Sequence, residues 1–82
     1  MNPRVTQVVP LAGYGLILTF SNGETRRFDL SPYLRYPVFE PLRNEGFFML
    51  AKPSHGTVAW TDEIDFDPDT LYLESVPVAI AA

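Results

Sequence analysis

The stretch Tyr14 to Leu30 constrains the fold more than any other, because two alternating runs flank a turn signal and only one register keeps their faces apart. A two-residue Asn22-Gly23 loop would set Leu18 opposite Arg27 and Leu16 opposite Asp29, which mixes apolar and charged faces. A three-residue loop, with Ser21 and Asn22 in a type I turn and Gly23 left-handed, pairs Leu16 with Phe28 and Tyr14 with Leu30. One face then carries Tyr14, Leu16, Leu18, Phe20, Phe28 and Leu30, enough to take a second layer.

The β-branched run Arg4 to Leu11 predicts a preceding strand, with Ala12-Gly13 as the break. Ser31-Pro32-Tyr33-Leu34 reads as a helix start in which Ser31 caps, and Pro37 limits it to about one turn. Val38 to Arg43 is expected to form a short helical turn that holds Phe39 and Leu42 inward. Phe47 to Lys52 reads as a strand, Pro53-Ser54-His55-Gly56 as a turn, and Thr57 to Thr61 as the returning strand, with Val58 and Trp60 on one face.

Asp67 before Pro68 has the form of an N-cap followed by the N1 proline, and Asp69 sits near the positive end of the helix dipole. A final helix of about two turns, Pro68 to Ser75, is predicted. The apolar tail from Val76 to Ala82 is then either docked or unpaired, and the sequence leaves both open. The whole predicts one α+β domain over residues 1 to 82. It has a mostly antiparallel five-stranded sheet (three strands, short helical turns, a second hairpin) and a short C-terminal helix.

An 82-residue chain without cysteine has a thin core and no disulfide to reinforce it. Extra burial, against a second copy or another protein, is therefore expected. The start Met1-Asn2-Pro3-Arg4 lacks the features of a secretion signal and no apolar run reaches the length of a membrane span, so a soluble cytoplasmic protein is expected.

Charge is divided unevenly. All six Lys and Arg lie within residues 1 to 52, beside Glu24, Asp29, Glu40 and Glu45; residues 53 to 82 hold Asp62, Glu63, Asp65, Asp67, Asp69 and Glu74 and no Lys or Arg. Such an acidic third repels phosphate, and Arg26-Arg27 is the sole adjacent basic pair, so direct nucleic-acid binding is not expected.

No constellation specifies a reaction. Asp65, Asp67 and Asp69 match the first three ligand positions of a calcium loop, but Thr70 stands where glycine is needed and Val76 where the bidentate glutamate is needed. Pro68 also starts a helix inside that loop, so capping and solvation account for the aspartates, and no metal or cofactor is expected. His55, the sole histidine, lies among turn residues with no activating neighbour, and an enzyme is not expected. Gly13-Tyr14-Gly15 falls between two strands and makes no phosphate cradle. Trp60, Tyr33, Tyr36 and Tyr72 are candidate contact formers, but in so small a chain most of them are expected in the core; Tyr36, between Arg35 and Pro37, is the one most expected at the surface.

Leu16-Ile17-Leu18-Thr19-Phe20-Ser21-Asn22-Gly23-Glu24, Arg27-Phe28-Asp29-Leu30, Phe39-Glu40-Pro41-Leu42, Phe47, Gly56-Thr57-Val58-Ala59-Trp60 and Ile64 to Tyr72 together resemble the bacterial domain-of-unknown-function family 2442. The likeness spans nearly the whole chain, and its most specific pieces are Phe-x-Asn-Gly-Glu and the tryptophan followed by Asp-x-Asp-Pro-Asp-x-Leu-Tyr. The family usually has glycine or asparagine in the turn after the tryptophan, where this chain has Asp62-Glu63. The resemblance implies a small α+β domain, often encoded beside another small protein in an arrangement similar to a toxin and its antitoxin, and it carries over no catalytic or ligand residue.

The leading expectation is a non-catalytic interaction or regulatory module, an antitoxin-like partner of a small basic protein, with Tyr36, Trp60, Asp62, Glu63 and Asp65 as the contact surface. The alternative is a small-ligand or cation sensor using the acidic turn after Trp60.

Overall fold

The computed structural model describes residues 2–78. Its elements are β1 (Val5–Leu11), β2 (Gly15–Phe20), β3 (Thr25–Asp29), 3₁₀ turns at Ser31–Tyr33 and Pro37–Arg43, α1 (Glu45–Phe48), β4 (Lys52–Ser54), β5 (Thr57–Thr61), β6 (Ile64–Asp65), α2 (Pro68–Leu73) and β7 (Val76–Pro77). The fold is α+β and antiparallel, as expected, but the single five-stranded sheet is not what forms. There are two sheets, one of order β1-β2-β3-β7 and one of order β4-β5-β6.

The division has a local cause. Asn44 caps a helical turn, its Oδ1 accepting the Phe47 N–H at 3.0 Å, so the expected strand Phe47 to Lys52 starts instead as α1, which buries Phe48. Only Lys52–Ser54 remains extended, with Pro53 and Ser54 in the strand and His55-Gly56 alone in the turn. Both turn residues have positive φ, 50° and 81°, the geometry of a two-residue type I′ hairpin. The two sheets share one buried core, and a backbone bond joins them where Val5 N–H donates to Gly56 O at 2.9 Å.

The β2–β3 hairpin has the three-residue loop and the register that the alternation requires. Leu16 faces Phe28, Gly23 is left-handed at φ 88°, and Leu30 N–H donates to Tyr14 O. Leu16, Leu18, Phe20, Phe28 and Leu30 are all buried, joined by Phe39 and Leu42 from the second 3₁₀ turn, Val58 and Trp60 from β5, Phe66, and Leu71 from α2. The strand expected from Tyr14 begins at Gly15, because Tyr14 takes a left-handed φ of 71°. Its hydroxyl donates to Arg43 O at 2.6 Å and its ring meets Phe48 edge-on at 4.9 Å, contacts that offset the unusual backbone.

The last helix is shorter than expected and is not the final element. It stops at Leu73, and Ser75 is drawn under Arg26, which donates from Nε to Ser75 Oγ and from Nη2 to Ser75 O, both at 2.7 Å. Val76–Pro77 then pairs with β3, so the start of the apolar tail is docked; residues 79 to 82 lie outside the described residues. Ser31 does not cap its turn. It is the first residue of that turn, and Asp29 Oδ1 accepts both its N–H and its hydroxyl.

Three outer strands carry a proline: Pro10 in β1, Pro53 in β4 and Pro77 in β7. A missing N–H on an outer strand weakens pairing with a further strand, which protects sheets this short from edge association.

Candidate functional site

Pro37 holds Tyr36 in an extended conformation, and the preceding 3₁₀ turn folds Pro32 and Tyr33 back toward the end of β3. The result is a cleft of about 320 Å³ lined by Phe28, Asp29, Pro32, Tyr33, Arg35, Tyr36 and Glu74. Its floor is core. The Tyr33 ring stacks on Phe28 at 5.7 Å and meets Phe66 edge-on at 5.0 Å. Its rim is exposed, with Tyr36 at 42% and the Arg35 guanidinium 5.2 Å over the Tyr36 ring, donating to its hydroxyl at 3.2 Å.

The Tyr33 hydroxyl donates to the Glu74 carboxylate across the cleft. That hydrogen bond, with desolvation and the nearby negative charge, pushes the Tyr33 phenol up to about 12. A raised acid contributes stability that is complete below its unfolded value near 10 and is lost as pH rises through the folded value. An ultraviolet phenolate titration should therefore show a step well above 10 that belongs to Tyr33. Tyr33→Phe should remove one phenolate from that high-pH step, and a step of unchanged amplitude in the variant would refute the assignment.

Trp60 belongs to the core, not to a contact surface. It is 5% exposed, and its indole N–H donates to Phe48 O at 2.8 Å. Asp62 and Glu63 stand exposed at the β5–β6 turn, whose backbone N–H groups at Glu63 and Ile64 donate to Thr61 Oγ1. Asp65 is exposed in β6, and with Asp62 it faces away from the Trp60 side of the sheet, toward a concavity shared with Lys52 and His55. The expected surface is thus split between Tyr36 on one side, Asp62 and Asp65 on another, and Trp60 inside.

Asp67 accepts the Thr70 N–H at 3.0 Å and the Thr70 hydroxyl at 2.7 Å, and those bonds hold its carboxyl below the ordinary value. Asp69 accepts from Asn2 at 3.3 Å. No group of three or more His, Cys, Asp or Glu among the described residues is placed to hold a metal ion. None of the described helices is long and apolar enough to cross a membrane.

Residues 5–77 match the family model described as a protein of unknown function, DUF2442. The chain belongs to this family. No curated protein and no solved structure matches it. Within this DUF2442 domain, the pieces that carried the resemblance take defined positions: the Asn22-Gly23 turn closes the β2–β3 hairpin, and Asp67-Pro68 opens α2 above the core.

Sequence reasoning missed Arg35, Pro32 and Glu74 as neighbours of Tyr36. Arg35 and Pro32 were within reach, being next to Tyr36 in a proline-bounded turn. Glu74, separated from Tyr33 by 41 positions, offered no local signal.

Proposed function

We propose that this DUF2442 domain is a non-catalytic interaction module, antitoxin-like in binding a small basic protein, and that the partner docks on the Tyr36 cleft. The observation that supports it is the exposed Tyr36 and Arg35 pair standing over an aromatic floor. Tyrosine and arginine are the side chains most often found as energetic anchors of interfaces, and a ring already stacked loses little freedom on binding. Asp29 and Glu74 line the same cleft. A basic partner would meet an acidic surface there, which speeds encounter and makes binding sensitive to salt.

The test is affinity capture from the host with wild-type and variant domains. The expected result is a basic protein retained by wild type, released as salt is raised, and bound about 30-fold more weakly by Tyr36→Ala, the effect of losing an anchor of about 2 kcal/mol. Circular dichroism should show Tyr36→Ala folded, because the ring lies outside the core. A partner held equally well by Tyr36→Ala and by Asp29→Asn/Glu74→Gln would remove this cleft from the interface.

A further inference from the structure

The outer face of the small sheet forms a second concavity, also about 320 Å³, lined by Lys52, Ser54, His55, Thr57, Ala59, Thr61, Asp62 and Asp65. Its shape follows from strand register. Lys52 pairs with Ala59, and Ala59 pairs with Asp65, so a cation and a carboxylate stand on either side of a methyl group in one row across the three strands. Directly opposed side chains on a sheet begin roughly 5 Å apart, which puts the two charged stems about 10 Å apart with only the alanine between them. Ala59 is 6% exposed and makes the floor.

The charges are sorted by edge. Lys52 belongs to the β4 side, Asp62 and Asp65 to the β6 side. No ion pair joins Lys52 to either aspartate, so the opposite charges face the same hollow without neutralising one another. Two hydroxyls differ in availability. Thr57 Oγ1 is committed as donor to Phe66 O at 2.5 Å, whereas Thr61 Oγ1 accepts two N–H bonds and keeps its own O–H to donate. Ser54 lies at the β4 end of the hollow.

We propose that this hollow binds a small zwitterion of the amino-acid class, its carboxylate at Lys52 and its ammonium at Asp65 and Asp62. An anion alone would meet two carboxylates, and a cation alone would meet Lys52. A molecule with both charges a few bonds apart satisfies both ends and bridges the gap that the protein leaves open. The volume is at the lower end of the roughly 300–1,000 Å³ of small-molecule sites, which suits a ligand of that size. The site is separate from the Tyr36 cleft and shares no lining residue with it, so the two readings stand or fall independently.

Titration of the ¹⁵N-labelled domain with each of the free amino acids, with acetate and methylammonium as one-charge controls, tests the proposal. At least one amino acid should shift the amide resonances of residues 52 to 65 in a saturable way, with each control at least tenfold weaker. Lys52→Met and Asp65→Asn should each weaken binding about tenfold or more, and Ala59→Leu should abolish it by filling the floor. If Ala59→Leu fails to fold, the two charge variants decide. Acetate or methylammonium binding as tightly as the best amino acid would overturn the proposal, as would an absence of saturable shifts with every amino acid.

Discussion

Phe66→Ala should be the most damaging single truncation of a side chain in this domain, lowering stability by about 3–5 kcal/mol in urea or guanidinium unfolding with little change in the slope. Phe66 is 6% exposed and its ring touches three others: Phe28 at 5.2 Å, Tyr33 at 5.0 Å and Phe39, stacked, at 5.2 Å. Those neighbours come from β3 and from both 3₁₀ turns, so this one ring ties the first sheet to the segment that follows it. The Phe66 backbone is fixed too, its N–H donating to Val58 O at 3.0 Å and its C=O accepting from Thr57. A rigid backbone cannot move in to close the void, so the cavity cost comes on top of the lost burial. With a total stability on the order of 4–12 kcal/mol for a chain of this size, such a loss leaves the variant near its unfolding midpoint in warm buffer. Phe66→Leu, which keeps part of the volume, should cost about 2 kcal/mol or less. An alanine variant within 1 kcal/mol of wild type would show that the aromatic cluster can repack, contrary to this reading.

The legible parts of the fold were those where turn chemistry and alternation agreed. Gly23 could take positive φ, the three-residue loop kept the faces apart, and the register followed. Phe39 and Leu42 could be placed inward because Pro37 and Pro41 left only a tight helical turn. The failures share a cause. Phe47-Phe48-Met49-Leu50 is an apolar run whose period fits strand or helix equally, and the deciding residue was Asn44, whose side chain could cap a helix. Strand β7 has two residues, one of them proline, and no local pattern announces a strand that exists only because β3 has an open edge.

The candidate sites were less legible, because each is assembled from distant segments. Tyr36 could be placed at the surface from its neighbours alone. Trp60 was a candidate for the contact surface because aromatic residues anchor interfaces, but the alternation with Val58 sets it against the core, and in a domain this small the core takes the largest ring. Lys52 and Asp65 became neighbours of one hollow only through the pairing of β4 and β6 on either side of β5.

Arg26→Ala is expected to release the end of the chain from the first sheet and to cost about 2–4 kcal/mol. Arg26 lies on the inner face of β3, its side chain 14% exposed, and it makes four contacts at once. Its guanidinium forks onto Ser75 Oγ and Ser75 O, lies 4.7 Å over the Tyr72 ring, and pairs with Glu24 at 3.4 Å. Glu24 in turn accepts from the Tyr72 hydroxyl at 2.5 Å and from Asn22 at 2.6 Å. Loss of Arg26 takes this donor from the carbonyl and hydroxyl of buried Ser75 and removes the clamp immediately before β7, so amide exchange at Val78, which donates to Thr25 O, should quicken more than exchange in β5. Arg26→Lys should recover less than half of the loss, since one ammonium cannot form the fork and the ring stack together. The same network sets a pH window. Bonds from Tyr72, Asn22 and Arg26 hold Glu24 below its ordinary 4.5, so its contribution is present above that value and falls away as pH drops through the lower, folded one. The Glu24 bond raises the Tyr72 phenol, whose contribution is present below 10 and lost as pH climbs beyond it. Glu24→Gln should therefore flatten the acid limb of the stability profile and bring Tyr72 ionisation back toward that of a free tyrosine. An acid limb unchanged in Glu24→Gln would place the titrating group elsewhere and detach Arg26 from the pH response.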